Sequence, residues 1–185
     1  METSNKSLPS IYDRALPRIY ISLLPSSPIG PMWIALSELG LVAIDWDMPQ
    51  ADFTHQLMRR FHADVTYNES CTAGALQQLL EYLAGSRRQF DLPLDLTGMS
   101  PFQEQVLRLT SDIPYGQTST YKKIAARVGN PHAARAVGRV EATNPIPLVI
   151  PCHRVLGSDG SLHGYGGPGG IKLKAWLLQL EQSMV

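Results

Sequence analysis

Apolar residues in the first half of the chain gather into short runs, Ile19 to Leu24, Met32 to Ala35 and Leu41 to Asp45. Between them lie Pro25-Ser26-Ser27-Pro28-Ile29-Gly30 and Leu39-Gly40, turn signals of the kind that join hairpins. The pattern predicts a three-stranded antiparallel meander. Leu76, Leu79, Leu80 and Leu83 then recur at helical spacing until Gly85-Ser86. A helix laid over an antiparallel sheet makes residues 18–97 a small unit of α+β class. Residues 1–17 are polar or irregular and read as a flexible arm.

Past Gly98-Met99 the periodicity becomes helical. Ser100 stands at an N-cap, Pro101 at the first helical position and Gln103 where a capping box needs it, so a helix is expected from there to about Asp112. Thr118 or Ser119 can cap the next, which carries Tyr121, Ile124, Ala125 and Val128. In Gly129-Asn130-Pro131, Gly129 suits the left-handed position after a helix, Asn130 can cap, and Pro131 is preset for a first turn. A second helix, His132 to Glu141, follows, and two short helices around such a turn form a helix-turn-helix. Such a unit docks on DNA through its second helix, here with Arg135 and Arg139 near the surface; a plain helical hairpin with solvated arginines fits the same pattern. Ala133, Ala134, Ala136 and Gly138 leave that helix with little bulk, which suits close approach of a partner. Residues 98–185 thus read as a mostly helical, winged-helix-like unit.

With 185 residues, 44% of them hydrophobic and 17% charged, the chain fits one medium domain or two small ones. Its apolar runs are too short to span a bilayer, and the polar N-terminus lacks a secretion signal, so a cytoplasmic location is expected (nucleoid-associated in a prokaryote) and no membrane partner. The net charge is zero, but residues 1–97 carry 7 basic and 11 acidic side chains while residues 98–185 carry 9 and 5. A basic second half is compatible with an anionic ligand there, and equally with random scatter.

The chemistry concentrates in Asn144-Pro145-Ile146-Pro147-Leu148-Val149-Ile150-Pro151-Cys152-His153-Arg154-Val155. Pro145 to Ile150 is apolar and β-branched enough for a buried strand, which would leave Cys152 at its end, inside a pocket. A thiol there needs a base, and His153 is the nearest. Neighbours on a strand point to opposite faces, so the pair requires a turn or a bridging water. Glu181, on an expected helix from Lys172 to Glu181, can orient the imidazole; an exposed helix charge is its alternative reading. The other cysteine, Cys71, begins a helical pattern and reads as a buried structural thiol. Two cysteines without CxxC or HxxxH spacing suggest neither a disulfide framework nor a metal site.

Arg135-Ala136-Val137-Gly138, Asn144-Pro145, Pro151 to Val155, Gly164-Tyr165-Gly166-Gly167 and Leu177-Leu178-Gln179-Leu180-Glu181 together resemble, in order, the O6-alkylguanine-DNA alkyltransferases, over about residues 98–182. Ser27 to Pro31 is similar to that family's N-terminal domain. The resemblance implies a monomer acting on double-stranded DNA with O6-alkylguanine lesions, passing the alkyl group once to Cys152 without a cofactor. It implies that His153 takes the thiol proton through a water, Glu181 orients His153, Asn144 supports the turn and Tyr121 donates towards the leaving guanine. Arg135 would fill the gap left by the flipped base, with Ala133, Ala134, Gly138, Arg139 and Tyr121 against the DNA. Val155, Pro147, Tyr165 and Gly166 would line the base pocket, the carbonyls of Cys152 and Val155 reading the exocyclic amine. The chain departs from the family in a loop between Tyr165 and Trp176 about two residues longer than usual. Arg139 and Glu141 also stand where small or apolar residues are common. A lesion-binding sensor without transfer is the alternative reading; a Cys-His hydrolase and a transcriptional regulator fit the helix-turn-helix or the chain length less well.

Overall fold

The computed structural model describes residues 16–46, 48–167 and 169–182. Apart from Leu16 and Pro17, the expected N-terminal arm lies outside the described residues.

Strands β1 (Arg18–Leu24), β2 (Met32–Ser37) and β3 (Gly40–Trp46) form the expected antiparallel meander. The sheet also has a fourth strand that the periodicity did not announce. Helix α1 (Gln50–Phe61) crosses over, and β4 (Asp64–Tyr67) pairs in parallel with β1, giving the order β3-β2-β1-β4. Helix α1 is anchored only by Phe53 and Leu57, one turn apart, and ends on His62 at a left-handed φ of 48°. Two anchors and no terminal glycine leave little helical signature in the sequence.

Both faces of this sheet are covered. Ile19, Ile21, Trp33, Ala35 and Val42 pack under α1, whereas Leu24, Met32, Ile34 and Ile44 face helix α2 (Glu69–Leu83) and the second half of the chain. Two-sided burial explains why Met32–Ala35 is continuously apolar instead of alternating. Asn68 caps α2 by accepting from the Cys71 amide, which places Cys71 on the first turn and exposed to solvent. The expectation of a buried Cys71 is corrected: the inward positions are Thr72, Ala75 and Leu79.

Helix α3 (Pro101–Ser111) starts with the expected capping box: the Gln103 amide donates to Ser100 Oγ at 3.3 Å, and the Ser100 amide donates to Gln103 Oε1 at 3.0 Å. A short strand β5 (Ser119–Thr120) runs into α4 (Tyr121–Arg127), so Thr120, not Thr118 or Ser119, is the cap, accepting from Lys123 N at 3.1 Å. Gly129 takes the left-handed conformation at φ +83°. Asn130 accepts from the His132 amide, and a turn through Ala133 delays helix α5 to Ala134–Ala142, two residues later than expected. Past the Cys152 segment, β6 (Val155–Leu156) pairs in parallel with β5, and α6 (Ile171–Leu180) packs against the Cys152–Arg154 turn.

Candidate active site

Pro145 to Ile150 is a tight turn and not the expected strand. The Ile150 amide donates to Ile146 O at 2.9 Å, and Leu148 adopts φ +73°. Asn144 braces it from inside: its Nδ2 donates to Ile150 O at 2.8 Å and its Oδ1 accepts from Ile146 N at 3.0 Å. Prolines at 145, 147 and 151 remove the donors that a strand ladder would use. The turn leads into a single 3₁₀ turn, Cys152–Arg154, and its curvature lets Cys152 and His153 serve one site although they are sequence neighbours.

Behind Cys152 every polar group but one is engaged. His153 is fully buried, and its Nε2 lies 2.9 Å from Glu181 Oε1. Arg154 donates through Nε and Nη2 to the same carboxylate, at 2.9 and 2.7 Å, and through Nη1 to the Ile113 carbonyl. Tyr82 Oη donates to Glu181 Oε1 at 2.5 Å and lies 3.3 Å from His153 Nε2. Glu181 is 2% exposed, which decides against the alternative of a solvated helix charge. Burial alone would raise its carboxyl, but the bonds from His153 and Arg154 outweigh that and carry it down to about 2. Burial in turn pushes the imidazole below its ordinary value, so His153 is neutral at rest. With Nε2–H pointing at Glu181, the free ring nitrogen is Nδ1, buried and without a protein partner.

In front of Cys152 lies a cavity of about 310 Å³, walled by Glu141, Asn144, Pro147, Tyr165, Gly166 and Gly167, with Asp45, Trp46 and Arg60 across from them. Burial pushes the Cys152 thiol up to about 12, the charge of Glu141 adds to this, and the Asn144 amide and Lys174 work against it. The resting sulfur is therefore a thiol. Tyr121 is likewise raised by burial to about 12, and its oxygen sits 3.5 Å from Lys174 Nζ.

A wider groove of about 820 Å³ runs outside, along α5, between Arg135, Ala134 and Gly138 on one wall and His163 to Gly166 on the other. Tyr121 lines this groove, and Ala142, Tyr165 and Gly166 line both spaces. Gly166 is required where it stands: a Cβ there would come within 2.8 Å of Ala142 O, so any side chain would lift the loop from α5. Arg135 and Arg139 are exposed, Ala134 and Gly138 line the groove half-buried, and Ala133, at the N-cap of α5, is half-buried outside it.

Of the expected site residues, Cys152, His153, Glu181, Asn144, Pro147, Tyr165 and Gly166 are thus brought together around one thiol, with Tyr121 at the mouth. Val155 is fully buried and lines neither space, and its carbonyl already accepts from Lys174 Nζ at 2.6 Å. The sequence reading did not single out Arg154, Tyr82 and Lys174. Arg154 lay inside the Cys-His motif. Tyr82 comes from the first half of the chain, 71 residues before the histidine it faces, and no local pattern could have announced it.

A cysteine backed by a buried His-Glu pair, in a cavity that adjoins a helix-turn-helix groove, defines a DNA-directed thiol protein. Residues 101–183 match the model of the 6-O-methylguanine DNA methyltransferase DNA binding domain, and residues 19–96 match that family's ribonuclease-like domain. The chain is 44% identical over 156 residues to a methylated-DNA--protein-cysteine methyltransferase of Mycolicibacterium paratuberculosis, covering 84% of this chain and 88% of that protein. It is 41% identical over 157 residues to one of Methanosarcina barkeri, covering 85% and 94%. The crystal structure of Mycobacterium tuberculosis OGT in complex with DNA superposes with a TM-score of 0.73 at 38% identity, covering 89% of this chain and 92% of that one. The chain belongs to the 6-O-methylguanine DNA methyltransferase family.

Proposed function

We infer that this protein repairs DNA by the reaction that names its family: it moves the alkyl group of an O6-alkylguanine in duplex DNA onto its own Cys152, once per molecule. The observation that carries this reading is the placement of one buried thiol between a buried His153–Glu181 pair and a cavity that adjoins the groove along α5.

In this reading residues 18–97 support residues 98–185, which hold DNA and carry the transfer. The lesion atom lies inside the base stack, so the nucleotide must leave it. Helix α5 lies against the duplex through Ala133, Ala134, Gly138 and Arg139, and Arg135 occupies the space the base leaves. The flipped guanine passes Tyr121 and seats near Tyr165, Gly166 and Pro147. His153 Nδ1 then accepts the thiol proton through a bridging water, which answers how a thiol held at about 12 can react. The sulfur–carbon bond forms as the carbon–O6 bond breaks, and the guanine leaves with the electron pair of that bond. Tyr121, kept protonated, donates to it as charge builds. Glu181 balances the imidazolium that results. The product is a thioether with no leaving group, so Cys152 stays alkylated. A nucleophile of this kind must remain a reduced thiol, and both cysteines are free, which supports residence in the cytoplasm.

A titration tests the stoichiometry. Adding increasing protein to a fixed amount of duplex carrying O6-methylguanine should remove one lesion per protein molecule and then stop. Removal of many lesions by one molecule would overturn the single-use reading, and tight binding with no removal would favour a lesion sensor.

A further inference from the structure

Glu141 is a buried charge-bearing group at the site with no part in the transfer derived above. It sits on α5 at 5% exposure, within the wall of the Cys152 cavity, and its Oε2 has no hydrogen-bond partner among the described residues. Its Oε1 is 2.6 Å from Thr110 Oγ1 on α3, which in turn is 3.0 Å from the Val106 carbonyl. A threonine hydroxyl has one proton to give, and a carbonyl can only accept. Both contacts are satisfied together in a single arrangement: protonated Glu141 donates to Thr110, and Thr110 donates to Val106. An ionised Glu141 must take the Thr110 proton for itself and leave the Val106 contact without a hydrogen.

We propose that Glu141 is a positioning residue that gates the transfer: protonated towards Thr110 it leaves Cys152 free to give up its proton, and ionised it holds that proton on the sulfur. The groups facing it are Thr110 from α3, Tyr121 from α4, Lys174 from α6, Cys152 from the 3₁₀ turn and Tyr165 from the following loop, with Asp45 of β3 and Arg60 of α1 across the cavity. Burial pushes its carboxyl up to about 7, against the opposing pull of Thr110 and Lys174. Its charge raises both Cys152 and Tyr121, the nucleophile and the leaving-group donor. The neutral acid leaves Oε2 as an unpartnered acceptor buried within the cavity wall.

The inference rests on the repair reading for its effect on DNA, and a second arm of the test is independent of it. Single-turnover transfer from an O6-methylguanine duplex is measured for wild type and Glu141→Gln between about pH 6 and about pH 8.5. Glutamine reproduces the neutral acid, donating to Thr110 and carrying no charge at any pH in that range. The ratio of variant to wild-type rate should rise with pH, by about tenfold if the Glu141 charge moves Cys152 by about one pK unit. The second arm follows alkylation of Cys152 by iodoacetamide, weighed on the Cys152 peptide, where the same ratio should rise in the same direction. A ratio independent of pH in the iodoacetamide arm overturns the inference, because a merely structural Glu141 would change rates equally at every pH. A rising ratio there, with no transfer from DNA by either protein, supports the coupling and overturns the repair reading instead.

Discussion

Glu181 and Glu141 are buried to nearly the same degree and lie on opposite sides of the same thiol, yet one is held ionised and the other is poised between its two charge states near neutral pH. Behind Cys152, Glu181 accepts from His153, Arg154 and Tyr82, and those partners carry it down to about 2 in spite of burial. In front, Glu141 has one hydroxyl on one oxygen and nothing on the other, and burial carries it up to about 7. Burial therefore does not decide whether a carboxyl is ionised; the supply of donors does. The back of the site is a fixed anion that steadies a histidine. The front is a wall that repels a forming thiolate only as Glu141 ionises.

Removing the back carboxylate should have the largest effect. Glu181→Ala strands the Arg154 guanidinium in the core, and loss of one partner of a buried pair costs about 3–5 kcal/mol. A melting curve should show that loss, and single-turnover transfer should fall by about 10²–10⁴-fold as the base loses its orienting partner. An unchanged melt would mean that the Glu181 cluster is not the anchor described here.

The pH dependence of stability should separate the two glutamates next. Glu181 is depressed from an ordinary 4.5 to about 2, so its contribution is fully present above 4.5 and is lost as pH falls towards 2. Glu141 is raised from 4.5 to about 7, so the fold loses stability as pH rises from 4.5 to 7 and stays lower above that, by roughly 3 kcal/mol. Relative to wild type, Glu181→Gln should lose its disadvantage in acid, and Glu141→Gln should gain stability above neutrality. Denaturant midpoints across pH check both, and parallel curves for the two variants would erase the contrast.

How much of this could be read from the chain follows from how local each cause is. The capping box at Ser100 and the Gly129-Asn130-Pro131 turn were legible because their partners lie within three residues. The Cys152–His153–Glu181 set was legible through the motif that carries it. Pro145–Ile150 reads as a strand from its side chains, but its prolines and the Asn144 brace make it a turn. Helix α1 and β4 stayed hidden behind two anchors. Tyr82 and the charge state of Glu141 depend on contacts made across the chain, Glu141 with Thr110 31 residues away, and no window of sequence contains them.

Smaller effects lie away from the thiol. Arg135→Ala should weaken transfer from duplex DNA on the order of tenfold and lower the salt slope of binding by about one, while reaction with free O6-methylguanine base changes less. Equal losses on both substrates would remove Arg135 from the space left by the flipped base. Cys71→Ser should change stability by less than about 0.5 kcal/mol, since Cys71 is exposed on the first turn of α2. A larger change in a melting curve would contradict that placement.

The most direct measurement is the mass of the Cys152 peptide after incubation with duplex DNA carrying O6-methylguanine. The account predicts one methyl increment on that peptide, none on the peptide containing Cys71, and none anywhere in Cys152→Ala, which should still bind the duplex. Loss of the lesion with Cys152 unmodified would contradict it.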